Sequence, residues 1–269
     1  MGDHACILLV GDIVGRPGRR VLKEQLPALQ SGFGVDFTVV NIENASGGFG
    51  VTSKVLSELS NLHIDVYTSG NHIWDKREAL DLVDTHAELL RPHNYPNGTP
   101  GSGTIEKQTA DGRAVRVVNL MGQVGMNPSL DSPFECVDRV LAESSAEIVL
   151  VDFHAEMTSE KMAMGWYLDG RVSAVVGTHT HVPTADERVL PGGTAYISDL
   201  GMTGCYDSVI GSNTEMVLQR MVKKLPARLE PATGKGSLCA VLVEVNGDGK
   251  AVGIERIRVE EGDTCERSE

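Results

Sequence analysis

Aromatic side chains make up only 4% of the 269 residues. That leaves too few rings for a platform on which single-stranded nucleic acid would stack. Positive charge is also short, with 24 Lys and Arg against 37 Asp and Glu and a net charge of -13. An acidic surface of that size repels a long polyanion and argues against duplex nucleic acid as a partner. A small phosphate substrate is not excluded, because bound cations would reverse the sign locally. The five cysteines, Cys6, Cys136, Cys205, Cys239 and Cys265, are scattered, odd in number and form no C-x-x-C pair. This excludes a disulfide scaffold and a zinc ribbon, and it fits a reducing compartment. No apolar run approaches membrane-spanning length, and the first residues lack the layout of a secretory signal, so the expectation is a cytoplasmic chain with no membrane partner. The polar tail after Val259 is expected to fray.

What is present is a run of short apolar strands separated by helical patterns. Cys6 to Val10 reads as a buried strand. Arg16 to Gln30 reads as a helix on the spacing of Val21, Leu22, Leu26 and Leu29, with Pro27 expected to kink or end it. Strands at Phe37 to Ile42 and Asp65 to Thr68 alternate with helices at Ser53 to Leu62 and Lys76 to Thr85. This order predicts right-handed crossovers and a largely parallel sheet. Thr104 to Lys107 and Ala114 to Asn119 read as a hairpin around Asp111-Gly112. Strands at Ile148 to Phe153 and Val172 to Val176 come next, interleaved with helices at Asp131 to Glu143 and Ser159 to Leu168. Shorter β segments lie near Ala195 to Ile197, Leu238 to Val245 and Val252 to Val259, with a helix at Thr214 to Lys224. Parallel units in front and hairpins behind predict a two-sheet α/β sandwich flanked by helices. No repeat or linker interrupts it, so residues 1–269 are expected to form one domain.

The most informative residues stand at the carboxyl ends of the strands. Gly11-Asp12 succeeds the first, Asn41-Ile42-Glu43-Asn44 the second, Gly70-Asn71-His72 the third, His154 the Ile148 strand, and Gly177-Thr178-His179-Thr180-His181 the next. In open α/β sheets, ligand sites sit at those ends. Singly, each residue has a plain reading: Asp12 as a helix cap, His72 as a cap or core histidine, Asn44 as a loop contact, His154 as structural. Together they converge on one rim, where unpartnered carboxylates and imidazoles are costly. Carboxylate, amide and imidazole donors without cysteine suit manganese, iron or zinc. Their number exceeds what one ion needs, and a carboxylate shared by two ions accounts for it. His179 and His181, two apart, would face the same side of an extended segment. His4, His63, His86 and His93 have no such setting and read as structural or surface residues. Thr178 and Thr180 read as backbone-shaping. Gly47-Gly48-Phe49-Gly50 reads equally as a loop near a base or ribose and as a plain turn. Met202-Thr203-Gly204 reads as a contact to substrate or to a subunit, without separating them.

These motifs, in this order, resemble those of calcineurin-like metallophosphoesterases. The strings GDIVGRPGR, NIENASGGFG, SGNHIWD and GTHTHVPTADERVLPGGTAYISDLGMTG are similar to its bacterial 2′,3′-cyclic-nucleotide phosphodiesterase branch, over residues 6 to 258. The resemblance implies a four-layer αββα fold. It also implies hydrolysis of phosphodiesters, 2′,3′-cyclic nucleotides to 3′-nucleotides, by a hydroxide held between two transition-metal ions per chain. Iron or manganese is the implied metal, with zinc also acceptable to these ligands. One ion would take Asp12, Glu43, Asn44 and His181, the other Glu43, Asn71, His154 and His179, and Glu43 would bridge. His72 would be the general acid that protonates the leaving oxygen. Two departures from the wider superfamily stand out. Its usual Asp-x-His is here Asp12-Ile13-Val14, and the bridging Asp is Glu43; the cyclic-nucleotide branch shows both. Residues contacting base or ribose are not assigned, and a homo-oligomer is compatible with this reading.

Two other nucleotide-binding designs fail on the sequence. Gly11-Asp12-Ile13-Val14-Gly15 does not fit G-x-G-x-x-G, and Asp12 would repel a pyrophosphate. No G-x-x-x-x-G-K-[ST] occurs either. A phosphomonoesterase or nucleotidase of the same fold, and a catalytically weak regulatory metal-binding scaffold, are the alternatives that stay open.

Overall fold

Strand β1 (Ala5–Val10) is apolar on both faces because both are buried. Ile7 and Leu9 join one core cluster, and Leu8 and Val10 join another. The computed structural model describes residues 4–263, and β1 lies in the middle of a five-stranded sheet. Further along the chain come β2 (Asp12–Ile13), α1 (Gly15–Phe33), β3 (Phe37–Asn41), α2 (Ser53–Leu59) and β4 (Val66–Thr68). They are succeeded by a 3-10 turn at Ile73–Asp75 and α3 (Ala79–Thr85). Strands β1, β3 and β4 run parallel.

The second sheet holds the middle of the chain. It contains β5 (Thr104–Gln108), β6 (Ala114–Met121), β7 (Ile148–His154), β8 (Ala174–Thr178), β9 (Arg188–Val189) and β10 (Ala195–Ile197). Its order is β5-β6-β7-β8-β10-β9, with β6, β7, β8 and β10 parallel. Helices α4 (Pro133–Ala142) and α5 (Thr158–Tyr167) connect its strands. After β11 (Met202–Thr203) and α6 (Thr214–Met221), the chain returns to the first sheet. There β12 (Ser237–Val245) and β13 (Ala251–Glu260) add antiparallel, giving the order β13-β12-β1-β3-β4.

Alternation along the strands sorts the side chains into layers. Ile7, Leu9, Phe37 and Val39 meet Val117, Ile148, Leu150 and Val176 between the sheets. Leu22, Leu26 and Leu29 of α1 cover the outer face of the first sheet. Val137 and Val140 of α4 and Met164 of α5 cover Val149, Val151 and Phe153 on the outer face of the second. Each fully buried side chain of this kind contributes ~1.5–3 kcal/mol. The result is the two-sheet α/β sandwich expected from the element order, with helices on both outer faces as the resemblance implied.

Of the two effects expected of Pro27, a kink or an end, the end does not occur: α1 runs on through it to Phe33. It sits on the exposed side, while buried Leu26 and Leu29 hold the helix to the sheet. Helices α2 and α3 are shorter than predicted. The polar tail is not frayed from its start: Glu260 ends β13 and a turn comes next, while Cys265 and the rest lie outside the described residues. The four described cysteines form no disulfide. Among the described residues, no helix is long and apolar enough to cross a membrane.

Candidate metal centre

Asp12 is not a helix cap; α1 is preceded by Val14 and has no side-chain cap. Asp12 instead opens β2, which pairs in parallel with β11 through Asp12–Met202 and Ile13–Thr203. Met202 and Thr203 are therefore buried structural partners of the Asp12 strand, not contacts for substrate or subunit. Glu43 and Asn44 lie in the turn after β3, and Asn71 and His72 come after β4. His154 ends β7, and His179 and His181 come after β8. The rims of the two sheets meet, so all these residues assemble.

Two groups result. Ligand-type atoms of Glu43, His154 and His179 lie within 4.8 Å of one another, as do those of Asp12, Glu43 and His181. Glu43 belongs to both and is fully buried. His154 Nε2 is 3.0 Å from Asn71 Oδ1, 3.2 Å from Glu43 Oε1 and 3.1 Å from His179 Nδ1. In the other group, Asn44 Nδ2 is 3.0 Å from His181 Nε2 and 3.1 Å from Glu43 Oε1.

The tautomers are set by the outer partners. Thr178 Oγ1 donates to Asp152 Oδ1 at 2.7 Å, so it accepts from His154 Nδ1 at 2.9 Å. His181 Nδ1 donates to the Ile210 carbonyl at 2.8 Å, and His179 Nε2 lies 3.1 Å from Glu156 Oε2. Each imidazole thus turns its remaining nitrogen inward, as metal-ligating histidines do.

Asp12 Oδ1 and Asn44 Oδ1 are buried with no hydrogen-bond partner. Orphaned acceptors of this kind are rare and call for a cause. A divalent cation would supply it, since it can satisfy carboxylate, amide oxygen and imidazole lone pairs together. The charges agree. Burial, only partly offset by His181 and His154, pushes Asp12 up to about 6. Burial would also raise Glu43, but the charge and hydrogen bond of His154, aided by His72, bring it down to about 2. Burial would lower His154, yet Glu43, Asp12 and Asp152 push it up to about 9. Burial and the neighbouring His154 hold His179 at about 3, in the neutral form a ligand needs. The cluster attracts positive charge.

The backbone differs from the expectation in one respect. His179 and His181 have φ of 98° and 64°, so the segment is a left-handed turn rather than an extended strand. The two imidazoles reach different groups because the turn splays them. Of the glycines flanking the motifs, Gly70 serves the site: a Cβ there would stand 2.1 Å from His154 Cδ2 and 2.5 Å from Glu43 Oε2. Gly11 and Gly177 instead admit the carbonyls of Gly201 and Ser198, which is sheet packing.

His72 lines the cavity beside the groups, together with Gly48 and Phe49. Its Nδ1 is 2.8 Å from Asp75 Oδ2, and its ring lies 4.8 Å from that of Phe49. Sequence reasoning missed the supports. Asp152 is buried and also accepts from Thr68 Oγ1 at 2.5 Å and Asn41 Nδ2 at 3.3 Å, while Asn41 Oδ1 accepts from the Glu43 amide at 3.1 Å. A lone carboxylate inside the apolar run IVLVDF was the available signal. Thr178 is part of this relay and not merely backbone-shaping.

A two-sheet α/β sandwich with carboxylate, amide and histidine groups converging at the joined rims defines a metallophosphoesterase-type protein. The chain belongs to the YmdB-like protein family, whose match runs over residues 8–257. It is 48% identical over 256 residues to the 2′,3′-cyclic-nucleotide 2′-phosphodiesterase of Bacillus subtilis, covering 94% of this chain and 96% of that protein. A phosphatase of Mycoplasma pneumoniae superposes with a TM-score of 0.92 at 33% identity, covering 98% of this chain and 96% of the other. A hypothetical protein of Thermus thermophilus superposes with a TM-score of 0.90 at 41% identity, covering 95% and 99%.

Proposed function

We propose that this chain is a metal-dependent phosphodiesterase that hydrolyses 2′,3′-cyclic nucleotides to 3′-nucleotides. The observation that carries the reading is Glu43, buried and shared by two groups of ligand-type atoms. The B. subtilis relative supplies the substrate class. One ion would be held by Asp12, Glu43, Asn44 and His181, and a second by Glu43, Asn71, His154 and His179. Iron or manganese is favoured, with zinc acceptable to the same donors. When bound, the ions would supply Lewis acidity that neutralises phosphate oxygens and makes water a nucleophile near neutral pH.

The chain's own residues do the rest. Asp152, through Thr178, fixes the His154 ring, and Asn41 fixes Glu43. Asp75 accepts from His72 Nδ1, which leaves Nε2 as the atom that hands a proton to the leaving 2′ oxygen. General acid catalysis of this kind contributes ~10²–10⁴-fold. Residues 1–269 work in this reading as one cytoplasmic catalytic domain, and a homo-oligomer is compatible with it.

The test is a metal-reconstituted screen across phosphomonoesters, linear diesters, and 2′,3′- and 3′,5′-cyclic nucleotides. Preferred turnover of the 2′,3′-cyclic substrates, with the 3′-phosphate as product, is expected. Preferred turnover of monoesters would replace this reading with a nucleotidase.

A further inference from the structure

A second cavity, of about 410 Å³, opens beside the proposed active site. The two share Phe49, Leu229, Glu230 and Pro231 as a common wall. Lys76, Arg220 and Arg228 line the second, against the single carboxylate of Glu230. In a chain with net charge -13, this is a local reversal of sign. Among the described residues, none of the three cations lies in an ion pair with a carboxylate, whereas Arg19, Lys23, Arg113 and Arg116, for example, do.

The wall that carries these cations is built. Gly50, at φ 74°, packs on Lys76, where a Cβ would stand 2.8 Å from Lys76 Cγ. Gly48 packs in the same way on Pro231. The 227–232 loop is tied down by Asn213 N to Glu230 O at 2.8 Å and by Ala232 N to Gly211 O at 2.8 Å. Arg228 therefore sits two residues from an anchored point, and Arg220 rides on the last turn of α6.

Resting on the function proposed above, we infer that this cavity is a subsite for a second phosphate, on the 5′ side of the nucleotide whose cyclic phosphate is cleaved. Guanidinium and ammonium groups that lack carboxylate partners are suited to a phosphate. The second phosphate has two chemical sources: the 5′-phosphate of a mononucleotide, or the preceding phosphodiester of a short RNA ending in a 2′,3′-cyclic phosphate. Either substrate is small enough to avoid the acidic remainder of the surface.

The experiment measures kcat/KM for three substrates with the metal-loaded full chain. They are a nucleoside 2′,3′-cyclic phosphate, its 5′-phosphorylated form, and a dinucleotide ending in the cyclic phosphate. Exposed cation–phosphate contacts are individually weak, so the expected advantage of a phosphate-bearing substrate over the bare one is about ten-fold in kcat/KM. Arg220→Glu with Arg228→Glu should collapse that ratio, and raised salt should shrink it. Lys250→Glu, the same kind of charge change elsewhere, should leave the ratio as in the wild type. An advantage for the 5′-phosphorylated mononucleotide identifies the first source, and one confined to the dinucleotide identifies the second. Equal kcat/KM for all three substrates, or a ratio untouched by the double charge reversal, overturns the subsite. Absence of turnover on all three overturns the functional reading itself, and the subsite falls with it.

Discussion

Lys161 Nζ lies 2.6 Å from Asp199 Oδ2, and both side chains are buried. The same oxygen accepts from Thr180 N at 3.1 Å and Thr180 Oγ1 at 2.8 Å. Thr180 sits between His179 and His181, whose positive φ values are strained for residues with a side chain. The ion pair thus holds in place the carboxylate that anchors the turn carrying the two imidazoles. Lys161→Met removes the charge but keeps much of the volume, leaving Asp199 buried and unpaired at a cost of ~3–5 kcal/mol. The double variant Lys161→Met/Asp199→Asn should lose less than the sum of the singles. Thermal melts of all three variants check this, and additive losses would show that the pair is not coupled.

Glu43→Gln keeps the shape of a buried side chain but removes the charge shared by both groups. The expected outcome is a folded protein with reduced metal content and no turnover of bis-p-nitrophenyl phosphate. Metal analysis alongside the assay decides it. Full loading with full activity would refute the bridging role.

Asp152 touches none of the inward-facing atoms directly. Asp152→Asn weakens the relay through Thr178 that sets the His154 tautomer. Changes to such outer partners cost ~10–100-fold in metal affinity. Titration with manganese, then activity at saturating metal, should show weaker loading with much of the rate recovered. An unchanged affinity would make Asp152 a plain core residue.

His72→Ala should leave metal content unchanged. With an alkoxide leaving group, the rate should fall ~10²–10⁴-fold. With a nitrophenyl ester, whose leaving group scarcely needs a proton, the loss should be small. Equal losses on both would count against the acid role.

Chelation should lower the melting temperature, and returning metal should restore it. An ion that binds only the folded chain at 100 times its Kd adds ~2.7 kcal/mol. Melts that do not move with chelator would mean that the orphaned Asp12 and Asn44 oxygens have another partner.

The strands around the site were legible because their residues are buried on both faces, which leaves continuous apolar runs such as CILLV and IVLVDF. The candidate ligands were legible because each stands just past such a run. That α1 runs on through Pro27 was not legible, because whether a missing hydrogen bond ends a helix depends on the packing of its neighbours. Strands β2 and β11, with two residues each, have no periodicity to read, so the structural part of Met202 and Thr203 was hidden.

The amino-acid order alone determined which segments become strands and which chemical groups stand at their ends, since these depend on local patterning. It could not determine the distances among those groups. Asp12 and His179 are 167 residues apart in sequence, yet the His179 amide lies 3.2 Å from Asp12 Oδ2. The folding of two sheets against each other decided that contact, along with the left-handed turn at His179 and His181. It also decided the pairing of Lys161 with Asp199 and the row of cations beside the cavity. Burial gives the Asp12–His179 and Lys161–Asp199 contacts their energy, and burial is a property of the packed whole.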